Sequence, residues 1–129
     1  VNILKSLIYA VIFTCVFVIF GLHVNSEIQE FTDIYISRSE TITTYIKKDD
    51  WQNTRSELDK YHKDFHQEKE RWYKTLHHEY FDNICLYLDI LDNSVFCKDK
   101  SMSLEQLVHI RKTLNNILES EKCDFNHIF

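Results

Sequence analysis

Residues 6–26 read SLIYAVIFTCVFVIFGLHVNS, and residues 27–47 follow without a break as EIQEFTDIYISRSETITTYIK. The first stretch has no charged side chain, and eleven of the positions between Leu7 and Leu22 are Leu, Ile, Val or Phe. At roughly -0.3 to -0.6 kcal/mol each, these residues favour insertion by about 3–6 kcal/mol. The length suffices to cross a hydrocarbon core of roughly 30 Å. A cleaved signal peptide is the competing expectation, with Val24-Asn25-Ser26 as the cleavage site before Glu27. The second stretch argues for retention. Val24, Ile28, Phe31, Tyr35, Ile42 and Tyr45 keep a spacing of three to four, with Arg38 at the one seam position that is not apolar. Helical patterning therefore runs through the proposed cut, and residues 1–26 are expected to form a cytoplasmic start and a transmembrane helix.

The flanks set an expected orientation. Lys5 precedes the span, while Glu27, Glu30 and Asp33 follow it. Positive charge stays on the cytoplasmic side, which places the N-terminus inside the cell membrane and residues 27–129 outside it, in a single pass.

The rest of the chain repeats the helical pattern. There is no proline and one glycine, Gly21, whereas a β-rich protein of this length would need many tight turns built from those residues. A stalk helix over 27–47 is expected to end at Lys47-Lys48-Asp49-Asp50, where an aspartate can cap the next helix. Helices are then expected over about 50–77, 79–96 and 103–121. Their stripes are Trp51, Thr54, Leu58, Tyr61, Phe65, Trp72 and Leu76; then Phe81, Ile84, Leu88, Leu91 and Val95; then Leu107, Ile110, Leu114 and Ile117. Ser103, with Gln106 three residues on, forms a capping box for the last helix. Each stripe must be buried, and short connections make neighbours antiparallel. The expected fold is all-α: a transmembrane helix continuing into an antiparallel bundle of three to four helices.

Charge narrows the functions. Lys5 is the only charged residue before Glu27, leaving 14 basic and 20 acidic residues beyond it. An acidic domain without a Lys/Arg stripe does not suit nucleic acid. The strongest chemical signal is His77-His78-Glu79-Tyr80-Phe81-Asp82, which falls short of the zinc-hydrolase pattern because Asp82 stands where a second histidine belongs. His78 and Asp82 are four apart and can bond each other or a neighbouring backbone. His62 and His66 form another pair at one turn, with Asp64 and Glu68 nearby. A defined site needs three or four ligands, so no metal or cofactor is expected, with His62, His66, His78 and Asp82 the candidates if one binds. Of the four cysteines, Cys15 lies in the span. Cys97 and Cys123 fall at opposite ends of a helix on the order of 25 Å long, which leaves Cys85–Cys123 as the one pair reachable, and only where the tail folds back, with reduced thiols as the expectation. Trp51, Trp72, His78, Asp82 and Phe129 are the structural or interaction candidates.

The N-terminal span, Asp50-Trp51 opening a charged helix, Trp72 further on, and His78-x-x-x-Asp82-x-Ile84 resemble the bacterial family catalogued as domain of unknown function DUF4363. Leucine-rich helices, Glu121 and the ending Ile128-Phe129 extend the likeness over nearly the whole length. Tyr80 stands where the family pattern has an acidic residue, and His127 where it has an asparagine. The resemblance implies a small membrane-anchored protein of a Gram-positive bacterium and no assigned activity. Together the readings give a non-enzymatic accessory or scaffold protein that binds another membrane or envelope protein, or its own copies. A module sensing a small molecule or metal is the alternative, and a metal-dependent hydrolase is a more distant one.

Overall fold

The computed structural model describes residues 2–73 and 78–128. They form four helices in chain order: α1 (Asn2–Lys47), α2 (Trp51–Trp72), α3 (His78–Phe96) and α4 (Lys100–Ile128). α1 packs on α2, α2 on α3, α3 on α4 and α4 back on α1. The bundle therefore closes as an up-down-up-down ring.

α1 has two environments along one uninterrupted helix of 46 residues, about 69 Å at 1.5 Å per residue. From Ile3 to Leu22 its large apolar side chains are exposed, including Phe13, Val16, Ile19 and Phe20. Among the described residues nothing covers this surface, and the helix is long and apolar enough to cross a membrane. From Ile28 to Ile46 the same helix is a full member of the bundle. Residues 27–47 are thus one of the four walls and not a stalk beneath it.

Both connections away from the span use one device without glycine. After α1, Asp49 takes a left-handed φ of 57°. Its N–H donates to the Ile46 carbonyl at 3.0 Å, and Asp50 N–H donates to Tyr45 at 2.9 Å. After α3, Lys98 has φ 54°, its N–H donates to Val95 at 3.0 Å, and Asp99 N–H donates to Ser94 at 2.8 Å. Each is a Schellman ending, and each is followed at once by an aspartate N-cap. Asp50 Oδ1 accepts from Asn53 N at 3.2 Å, and Asp99 Oδ1 accepts from Met102 N at 3.1 Å. A side chain in the left-handed region costs roughly 1–2 kcal/mol. Lys98→Gly is therefore expected to stabilise the protein by about 0.5–1 kcal/mol after the extra unfolded-state entropy of glycine is counted. A thermal melt followed by circular dichroism checks this; an unchanged or lower midpoint would contradict the strain argument.

The second of these turns corrects two sequence expectations. α4 begins at Lys100 and not at Ser103, because Asp99 is the cap. Ser103 is a buried residue of the first turn. Its hydroxyl donates to the Asp99 carbonyl at 2.7 Å and shares a 2.9 Å hydrogen bond with Ser94 of α3. At the other end α2 stops at Trp72. Leu76 and His77 lie outside the described residues, as do the side chains of Val24 and Cys123 and the whole of Phe129.

Packing differs around the ring. α4 sits closest, against α3 and α1, where buried Ser94, Ser103 and Thr113 let backbones approach. Such hydroxyls cost little to bury because they donate to carbonyls one turn back, as Thr113 does to His109 at 2.8 Å. α2 stands further off, held away by aromatic rings, since the distance between helix axes grows with the side chains between them. Phe31 and Tyr35 of α1 meet Phe65 of α2, with ring centroids 6.3 and 5.6 Å away, and Phe31 also meets Trp72 at 6.2 Å. The buried aromatic rings lie in the half of the core nearer the span, together with Ile28, Ile84 and Ile117. The half nearer the two turns is built of Ile42, Ile46, Leu58, Leu91 and Val95.

Candidate functional site

The wide spacing of α1 and α2 leaves a groove between them, a cavity of about 370 Å³. α1 lines it with Glu27, Glu30, Phe31, Ile34, Tyr35 and Arg38, a single face at steps of three and four. α2 lines it with Asp64, Gln67, Glu68, Arg71 and Trp72. Phe31, Tyr35 and Trp72 are buried and make an aromatic floor, whereas Ile34 is exposed. The groove starts at Glu27, the residue after the uncharged stretch ends.

Two ion pairs cross the groove. Arg38 Nη1 donates to Asp64 Oδ2 at 3.0 Å, and its guanidinium lies over the Tyr35 and Tyr61 rings, 5.5 and 5.4 Å from their centroids. Arg71 Nη2 donates to Glu27 Oε2 at 2.9 Å and sits 5.2 Å over the Trp72 ring. Glu27 also meets His23 Nε2 at 3.0 Å, one turn earlier on α1. Glu30 and Glu68 lie between the two bridges in sequence on facing helices, and neither makes an ion pair among the described residues. The Nε1–H of Trp72 is buried and has no acceptor there either.

Burial pushes the Tyr35 phenol up to about 12, with Arg38 pulling the other way and Glu68 and Asp64 adding to the rise. Burial raises Tyr61 as well; its hydroxyl shares a 3.1 Å hydrogen bond with Ser39, which opposes the rise. The fold therefore prefers neutral phenols. The stability they contribute is fully present below the ordinary value of about 10 and is lost as pH climbs through the folded-state value. Unfolding free energy is expected to fall between pH 10 and about 12, and Tyr35→Phe should flatten that fall. Urea titrations at a series of pH values measure it; a profile unchanged by the substitution would remove Tyr35 as a cause.

The residues singled out from sequence fall into separate places. Trp72 is in the groove floor. Trp51 packs half-buried against the core beside the α1–α2 turn. His78 is exposed, with Nδ1 3.3 Å from the Tyr73 carbonyl and its ring stacked on Tyr73. Asp82 is exposed and makes no ion pair with it among the described residues. His62 and His66 stack at 4.8 Å between centroids, and His62 Nε2 is 3.8 Å from Asp89 Oδ1. Burial, with His62 and Lys69 adding to it, lowers the pKa of His66. Asp64, a possible carboxylate supplement to that pair, is held by Arg38 in the groove instead. Among the described residues no three of His, Cys, Asp and Glu are grouped as a metal site would need. Cys15, Cys85 and Cys97 are free thiols. Burial raises the pKa of Cys85, and Lys69, 3.8 Å away, opposes this.

The groove itself was missed by sequence reasoning. Its one trace was Arg38, the charged residue in an otherwise apolar seam.

The family model for the domain of unknown function DUF4363 matches residues 22–128. No curated protein and no solved structure matches the chain.

Proposed function

The chain belongs to the DUF4363 family, and on that premise, which brings no activity with it, we propose that it is a membrane-anchored, non-enzymatic accessory protein. The span holds the bundle on the outer face of the cell membrane, and the α1–α2 groove docks another membrane or envelope protein. One observation carries this reading: a concave, aromatic-floored groove opens at the residue where the apolar span ends. A segment of another protein emerging from the bilayer would meet it first. The polar groups support binding over catalysis, since both arginines are committed to carboxylates and no nucleophile lies beside a base in the lining.

The test places a photoreactive benzoylphenylalanine at Ile34 in the full-length protein within its own cells. Irradiation should give a discrete adduct of higher mass. The same probe at Ile90, exposed on α3, should give none. No adduct at Ile34, or equal adducts at both sites, would overturn the reading. The groove volume also lies in the range of small-ligand pockets, which favours a small-molecule sensor as the second reading. That reading predicts a thermal shift with a metabolite or metal ion in a screen.

A further inference from the structure

We propose that the groove receives a lysine or arginine side chain from the juxtamembrane segment of the docked protein, its cationic head between Glu30 and Glu68. The proposal rests on the docking reading above and adds the chemistry of the occupant.

Charge accounting leads to it. Six charged side chains line the groove. Arg38 and Arg71 are matched with Asp64 and Glu27, which leaves Glu30 and Glu68 without an ion pair among the described residues. They stand on facing helices between the two bridges in sequence. One cation between them pairs with both. The floor suits the rest of such a side chain: Ile34 and the Trp72 ring offer an apolar track for methylene groups.

On the docking reading, that cation comes from a peptide side chain. The groove opens at Glu27, where the apolar stretch of α1 has ended, which on the docking reading limits the source to a segment close to a membrane.

The test uses the full-length protein in its own cells with benzoylphenylalanine at Gln67, an exposed position in the groove lining. The cross-linked peptide is identified by mass spectrometry in the parent and in a Glu30→Gln/Glu68→Gln variant, with circular dichroism of each purified protein as the fold check. The expected result is an adduct segment with lysine or arginine within one helical turn of the linkage. Its yield should fall about tenfold or more in the double variant, because two charge-assisted contacts are lost. An adduct whose segment has no basic residue, or whose yield is unchanged in the variant, overturns this proposal and leaves the docking reading standing. No adduct at either Ile34 or Gln67 overturns both.

Discussion

Phe65→Ala is expected to destabilise the bundle by about 3–5 kcal/mol, the range for deleting a fully enclosed phenyl ring from a core. Phe65 is completely buried. Its ring centroid lies 5.6 Å from Tyr35, edge-on, 6.2 Å from Phe81 and 6.3 Å from Phe31. One side chain thus joins α1, α2 and α3 where α2 is least closely packed. Helices held apart by rings cannot close over the gap without moving other rings, so most of the cavity should persist. A domain of about 100 residues loses roughly 4–8 °C in Tm per kcal/mol, so the midpoint should drop by about 12 °C or more. Leu86→Ala, at an exposed position on α3, is the control and should stay within about 0.5 kcal/mol. Equal shifts for the two variants would mean that the aromatic cluster does not hold the fold together.

Ile12→Arg combined with Val16→Arg is expected to move the protein out of the membrane fraction. Both side chains are exposed on the apolar part of α1. Arginine near the centre of a span costs roughly 2.5–3.5 kcal/mol on the insertion scale, so two cost about 5–7 kcal/mol. That matches or exceeds the roughly 3–5 kcal/mol left from the nine remaining apolar residues. Carbonate extraction and sedimentation should find the parent in the pellet and the variant in the supernatant, with the bundle still folded, because the core starts at Ile28. A variant that remains in the pellet would show that some other part of the chain holds it there.

Much of the fold was legible in the sequence because a 3.6-residue period is a strong signal. The stripes of α2, α3 and α4 coincide with buried positions from Thr54 to Trp72, Phe81 to Val95 and Leu107 to Ile117. Two of the errors share a cause: hydroxyl residues do not look like core. On α1 the seam passes through Ser39 and Ile46, both buried, while Arg38 and Tyr45 are half-exposed beside it. Ser39 is tolerated inside because its hydroxyl donates to the Tyr35 carbonyl at 2.7 Å while meeting Tyr61. Ser103 misled in the same way, resembling a cap although its partner is Ser94 across the helix interface. Apart from Arg38 in the seam, the groove was not legible. It depends on how far rings push α2 from α1 and on which carboxylate each arginine reaches, and both are settled by pairing across helices. His78-x-x-x-Asp82 shows the converse: its spacing permits a pair, yet His78 turns to the Tyr73 carbonyl.

The unbroken course of α1 fixes an angular phase between its apolar part and the bundle. With 3.6 residues per turn, one residue added near His23 would swing the groove about 100° around the α1 axis and lift it by about 1.5 Å. Seven added residues amount to nearly two whole turns and would return it to within about 20° of its original bearing, at a height about 10 Å greater. The compass direction in which the bundle offers its groove, relative to the apolar part of α1, is therefore set by a count of residues.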